Sequence, residues 1–320
     1  MSFIRKIRAL LHDRTLQTLL FTVAVLAVVR TPIPDDLEEP RYYDYQKLLW
    51  KGNSDVIILG DSRSLVGLSP GIMGSELKQL RIRNFAFAGV GYSAQYLAAG
   101  ETIWDRTCPG TKIALLGITP RAFRQVSIKS NQFISCSQSL TLPAYCKSRW
   151  LGWVKFVWPP LDRPVIEQIV FGADQKYYKA VRYSDGWSEP QAAHIDYQES
   201  LNAYKHFKAD PISDEIMSHF LDKVREWTDQ GIHVYGYRPP TCAEMEALED
   251  DFDEVAFIQT FEKAGGRWIS PSEQDLSTYD ASHLDRTSSR LYSQRVAQSI
   301  RISEAQIAER SPTESAVTQW

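Results

Sequence analysis

Three short stretches of this 320-residue sequence set reactive side chains where a reversal of the chain would expose them. Gly60-Asp61-Ser62-Arg63 follows a short apolar run. A serine on a tight turn between strand and helix has an exposed hydroxyl and a free N–H where developing negative charge is favoured, which is what a nucleophile requires. The competing reading is that Asp61 or Ser62 only caps the helix. Near the other end stands Asp280-Ala281-Ser282-His283. Two intervening residues allow a bend that sets the carboxylate against Nδ1 while Nε2 faces outward, as in a base oriented by an acid. A solvated histidine in a helix-capping loop is the alternative. Between them runs Asn84-Phe85-Ala86-Phe87-Ala88-Gly89-Val90-Gly91. Glycine lets a backbone N–H come close to a reacting oxygen, although alone this is an ordinary glycine-containing loop.

The serine and glycine stretches each follow a predicted strand, and the histidine stretch precedes a predicted helix. Asp55–Leu59, ended by Gly60, is a short continuous apolar run of the kind buried in a parallel sheet. Ile82–Phe87 reads as a second strand, Lys112–Leu116 before Gly117 as a third and Ile232–Tyr237 before Arg238-Pro239-Pro240 as a fourth, with a short one at Trp268-Ile269. Helices are predicted around Pro70–Gln79, Ser93–Ile103 and Asp253–Lys263, and after His283 with Leu291, Val296 and Ile300 inward. Ile216, Phe220, Val224 and Trp227 recur every three or four residues, which predicts an amphipathic helix over Asp214–Asp229. Strands alternating with helices predict a parallel sheet covered on both faces, with sites at the carboxyl ends of its strands. Residues from about 120 to 211 break this rhythm with prolines and aromatics (Trp150, Trp153, Phe156, Trp158, Tyr177, Tyr178, Trp187) and read as an insertion. Such aromatics serve either packing or recognition.

Composition narrows the partners. The chain carries 36 Lys+Arg against 39 Asp+Glu and no long basic run, which argues against nucleic acid. Mean hydropathy of −0.31 excludes a polytopic membrane protein. Arg5, Lys6, Arg8 and Arg14 precede an uncharged, mostly apolar stretch from Thr15 to Val29, which Arg30 and then Asp35, Asp36, Glu38 and Glu39 close. This asymmetry predicts a cytoplasmic N-terminus and a retained single-pass anchor over residues 1–30, with the remainder extracytoplasmic; a cleaved signal peptide is the rival. The outer part then comprises residues 31–302 and a frayed polar tail, 303–320. Cys108, Cys136, Cys146 and Cys242 all lie there and are compatible with two disulfides, Cys136 and Cys146 being the natural local pair; buried free thiols are the alternative. No spacing suited to a structural metal occurs, and the chemistry needs no cofactor.

Taken together, Gly-Asp-Ser after the first buried strand, an Asn-to-Gly block after the second and Asp-x-x-His before the last helix resemble the SGNH, or GDSL-like, hydrolase superfamily. The resemblance covers about residues 53–120 and 220–300. It implies a flavodoxin-like three-layer α/β/α sandwich with Ser62 as nucleophile, His283 as general base, Asp280 as its orienter, and the N–H groups of Ser62 and Gly89 in the oxyanion hole. The family's third block, Gly-x-Asn-Asp, is replaced by Gly117-Ile118-Thr119-Pro120, so that Thr119 is left to donate to the oxyanion or the donor is absent. With an anchor, a bulky insertion and Asp185-Gly186-Trp187, the sequence is similar to the accessory proteins of cell-envelope acylation, such as the D-alanyl transfer and alginate acetylation proteins. That narrower likeness implies an acyl-enzyme in the periplasm, on the inner membrane. It would transfer an O-acyl group to a cell-envelope polysaccharide, or act on it as an esterase, beside a membrane-bound O-acyltransferase. Arg63, Arg238 and Trp187 are candidates for substrate contact, each with a structural alternative. A catalytically idle scaffold or carbohydrate-binding subunit is the competing function.

Overall fold

In a computed structural model of the chain, the described residues are 40–310 apart from 79, 108–109, 158–176 and 195–196, together with 14, 17–19 and 22–23. The expected anchor over residues 1–30 lies outside them save for those few positions. Among the described residues, no helix is long and apolar enough to cross a membrane.

The apolar runs form β1 (Val56–Leu59), β2 (Ile82–Asn84) and β3 (Ile113–Gly117). The insertion adds β4 (Tyr177–Arg182) and β5 (Ser188–His194), and the last two strands are β6 (His233–Tyr237) and β7 (Arg267–Trp268). Five of these make one all-parallel sheet in the order β2-β1-β3-β6-β7, with Val56 level with Ile82 on one side and Ile113 on the other. The three inner strands are buried on both faces, which is why their sequences do not alternate. Ile57, Leu59, Leu116 and Val234 face a layer that includes Tyr96, Phe220, Trp227 and Phe261. Val56, Ile58, Leu115 and Tyr235 face Met73, Tyr292, Val296 and Ile300 on the other side. The architecture is thus a mixed α/β fold with helices on both faces of a parallel sheet.

β2 is shorter than the run Ile82–Phe87 suggests. The Asn84 side chain accepts the Ala86 N–H at 3.0 Å and turns the chain, although the Phe85 and Phe87 N–H groups still bond the Ile58 and Gly60 carbonyls. Helices follow at Pro70–Glu76 and Ala94–Glu101, each opened by a serine whose hydroxyl accepts a first-turn N–H. The amphipathic segment is a helix over Asp214–Asp229, and Glu254–Lys263 is another.

The insertion contains a 3₁₀ turn at Pro120–Phe123 and helices Gln125–Lys129, Gln132–Ser139, Leu142–Val157 and Tyr197–Lys208, with β4 and β5 paired antiparallel outside the main sheet. Its last helix packs Leu201 and Tyr204 with Met245 and Ala281 in a small separate cluster.

Two expectations are corrected. The final helix runs from Arg286 to Arg310, so the polar tail does not begin at 303: Glu304 bonds His233 Nδ1 at 2.6 Å and the Tyr235 hydroxyl at 2.5 Å, tying the helix end to β6. Residues 311–320 lie outside the described part. Cys136 and Cys146 do not pair. Cys136 is buried on its helix beside Asp44, with Sγ 3.9 Å from a carboxylate oxygen, whereas Cys146 is exposed on the next helix. Cys242 is also a free thiol, and Cys108 lies outside the described residues.

Candidate active site

Because the strands are parallel, the ends of β1, β2, β3 and β6 share one edge of the sheet. At the end of β1 the chain turns at Gly60 and enters the short helix Ser62–Gly67. Asp61 caps it through Oδ1, which accepts the Arg63 N–H at 2.9 Å, and such a cap contributes about 1 kcal/mol. The other carboxylate oxygen takes the Thr119 hydroxyl at 2.8 Å, tying the β1 and β3 ends together. The helix lies close on the strand ends: a Cβ at Gly117 would fall 1.9 Å from Ser64 Oγ, and that hydroxyl receives a 2.8 Å bond from the Tyr237 hydroxyl on β6. Asp61, not Ser62, therefore caps the helix, which leaves the Ser62 hydroxyl to other partners.

Ser62 Oγ lies 2.8 Å from His283 Nε2, and His283 Nδ1 lies 2.7 Å from Asp280 Oδ2. The other Asp280 oxygen accepts the Ser282 and His283 N–H groups at 3.1 and 2.7 Å, closing a turn that holds Ala281 at φ +71°. That left-handed residue costs about 1 kcal/mol, which the two bonds offset. Tyr279 stacks on the imidazole with ring centroids 5.8 Å apart. Burial works to raise the Asp280 carboxyl, but the His283 side-chain bond and the two N–H groups outweigh it and hold the group below its usual value. Asp280 is thus an ionised acceptor. Nδ1 must then carry the imidazole proton, which leaves Nε2 free to accept from Ser62.

No family model, curated protein or solved structure matches this chain. The geometry therefore stands on its own, and what it can do chemically is deprotonate a serine hydroxyl. Among the described residues neither the Ser62 nor the Gly89 N–H has an acceptor, so both are available to an incoming oxygen.

The other sequence candidates fall into supporting places. The Thr119 hydroxyl is spent on Asp61 and so is not free for an oxyanion. Arg63 is neither a surface residue nor a free substrate contact: its side chain is 4% exposed and pairs with Glu249 at 2.7 Å, while its Nε donates to Ser282 Oγ at 3.0 Å. Burial opposes charge on both Arg63 and Glu249, yet their mutual attraction wins and keeps the arginine firmly protonated and the carboxyl ionised. Arg238 bonds the same Glu249 carboxylate and accepts from the Tyr292 hydroxyl through its carbonyl. Trp187 is buried in the turn between β4 and β5, where Nε1 donates to the Val66 carbonyl at 2.8 Å. Its neighbour Gly186 is required there, because a Cβ would lie 2.0 Å from the Asn84 carbonyl oxygen. Of the other insertion aromatics, Trp150 is half-exposed on its helix; the side chains of Trp153, Phe156, Trp158, Tyr177 and Tyr178 lie outside the described part.

The sequence pointed past one arginine. Arg121, in the 3₁₀ turn after β3, sets its guanidinium against Gly89 and stacks it on Phe207, with Cζ 3.8 Å from the ring centroid. Only its place soon after the strand-end Gly117-Ile118-Thr119 could have flagged it. Two cavities, of about 630 and 400 Å³, are lined around Phe257 and around Arg238 with Trp268, and none of Ser62, Asp280 and His283 lines either.

Proposed function

We propose that the chain is a Ser-His-Asp acyl-enzyme catalyst of the SGNH type, acting by O-acyl transfer or ester cleavage on a cell-envelope polysaccharide. The observation that carries this reading is the unbroken chain from Ser62 Oγ through both nitrogens of His283 to Asp280. The strand order supports it as well, being the doubly wound order of flavodoxin-like folds when the five sheet strands are numbered in sequence.

In the first half-reaction Ser62 Oγ attacks the acyl carbonyl carbon as its proton passes to Nε2 of His283. The carbonyl electron pair becomes an oxyanion beside the Ser62 and Gly89 N–H groups. The intermediate then collapses: the bond to the leaving alkoxide breaks, His283 returns the proton to it, and Ser62 is left acylated. In the second half-reaction His283 takes a proton from water or a sugar hydroxyl as that oxygen attacks the ester; the bond to Ser62 Oγ then breaks and His283 returns the proton to the serine. Water gives an esterase and a sugar hydroxyl a transferase, with one site serving both.

The setting rests on the sequence: the basic, apolar and acidic order of residues 5–39 favours a single-pass anchor with this domain outside the cytoplasmic membrane. A membrane-bound O-acyltransferase is the partner that such a setting suggests. The test is mass spectrometry of the full chain after incubation with an activated acetyl ester. We expect an acetyl adduct on Ser62 that is absent in Ser62→Ala and strongly reduced in His283→Ala, with an oligosaccharide acceptor then dividing transfer from hydrolysis. No adduct and no turnover from folded protein with several acyl donors would overturn catalysis and leave the scaffold role.

A further inference from the structure

Arg121 is a charged group with nothing described to hold it. Among the described residues its guanidinium makes no hydrogen bond and no ion pair, and its Nε is buried without a partner. Its one firm contact is the face of Phe207. Stacking on an aromatic face fixes the plane of a guanidinium but satisfies none of its five N–H donors. A partly desolvated guanidinium whose donors have no partner in the protein is suited to receive an anion.

Its position says which anion. A Cβ built on Gly89 would lie 3.0 Å from Arg121 Nη2 and 3.7 Å from Cζ, so the guanidinium covers the Gly89 loop. That loop is tied to the serine turn: the Phe87 N–H bonds the carbonyl of Gly60, which immediately precedes Asp61 and Ser62. Asp61 exerts the largest favourable pull on the guanidinium, but no hydrogen bond or ion pair joins the two, and the Asp61 oxygens accept instead from the Arg63 N–H and the Thr119 hydroxyl. Thr119, the side chain at the end of β3 that could have faced the oxyanion, is removed by that same bond.

We infer that Arg121 is a catalytic residue, whose Nη2 donates to the acyl oxygen beside the Gly89 N–H and stabilises the negative charge there in place of the Thr119 hydroxyl, which Asp61 holds. The inference rests on the acyl-enzyme reading above. It predicts a side chain that matters to the transition state of any ester, neutral or charged, because the negative charge it meets is made by the reaction.

The experiment uses the full chain, a neutral activated ester (4-nitrophenyl acetate) and its anionic counterpart (4-nitrophenyl hemisuccinate), with fluorophosphonate labelling of Ser62 as an independent measure of the nucleophile. Arg121→Ala should lower kcat for both esters by about 10²–10³-fold with KM little changed, the loss typical of one oxyanion donor. Arg121→Gln, which keeps a polar N–H donor but shortens the side chain and drops the charge, should show the same split, and Arg121→Lys should retain part of the activity. Added guanidinium ion should restore part of the Arg121→Ala rate, which a purely structural loss would not allow. The inference is overturned if Arg121→Ala and Arg121→Gln keep kcat for the neutral ester, or if the loss is confined to KM for the anionic one, since Arg121 would then bind substrate rather than the oxyanion. Wild-type chain that neither turns over nor is labelled at Ser62 would instead remove the acyl-enzyme reading, and this inference with it.

Discussion

Asp280 receives Nδ1 of His283 on one oxygen and two backbone N–H groups on the other, so its replacement separates charge from geometry. In Asp280→Asn the amide can still accept the two N–H groups through its oxygen, but it then turns its NH₂ towards Nδ1. The imidazole proton moves to Nε2, which no longer accepts from Ser62. Turnover should fall by roughly 10⁴-fold with the fold and KM retained, as measured by ester kinetics beside a thermal melt. Glu249 works differently, at one remove from the reaction. It is 1% exposed and holds both Arg63 and Arg238. Glu249→Gln leaves the buried Arg63 without its counter-ion and Arg238 with only Glu254 at 4.0 Å, and loss of one partner of a buried pair costs about 3–5 kcal/mol. Urea unfolding should show a loss of that size; a loss below about 1 kcal/mol would mean that the arginines find water or one another's acceptors instead. The triad was legible because Asp280 and His283 are close in the sequence and Ser62 follows an obvious buried strand. The ion pair was not, because Arg63 and Glu249 are 186 residues apart and nothing in either segment names the other.

Strands that are buried on both faces announce themselves as unbroken apolar runs, and β1 and β3 at the centre of the main sheet were legible for that reason. The β4–β5 hairpin was not. Its strands read YYKAVR and SEPQAAH, with neither a continuous run nor a clean alternation, since it lies outside the sheet and its order comes from packing against the body. Asp185-Gly186-Trp187 is the element's fastening: the Asn84 N–H bonds the Asp185 carbonyl at 2.8 Å, the Tyr43 hydroxyl bonds that of Trp187 at 2.7 Å, and the indole holds Val66 in the helix that carries Ser62. Trp187→Phe keeps an aromatic ring but removes the bond to the buried Val66 carbonyl along with part of the buried indole. An unsatisfied buried acceptor costs about 1–3 kcal/mol, so the melting temperature should drop. Because the serine helix loses a support, kcat should fall while KM for a small ester holds. An unchanged melting temperature would mean that the Val66 carbonyl finds another donor.

At the scale of the whole molecule, the sheet places the serine turn and the Gly89 loop on one edge, and a helix outside the sheet holds that loop from behind. The helix Pro40–Leu49 buries Lys47 completely, with Nζ donating to the Ala86 carbonyl at 2.8 Å and standing about 5 Å from the Tyr43 and Phe87 rings. Nothing in PRYYDYQKLL marks that lysine as interior, since long charged side chains belong to the surface by default. Burial lowers its pKa from 10.5 to about 7, against the pull of the Asp44 carboxylate. The unfolded chain therefore binds this proton more tightly than the folded one does, and between about 7 and 10.5 the proton is released on folding. The contribution of Lys47 to stability rises with pH across that interval and loses this dependence below it, where both states are protonated. Melting temperatures taken from pH 6 to pH 9.5 should climb above neutrality in the wild type, while Lys47→Met, which keeps the length and drops the amine, should follow a flatter profile. Parallel profiles would show that Lys47 keeps its proton in the folded chain, and that the Ala86 carbonyl and the two ring faces hold an ammonium rather than an amine.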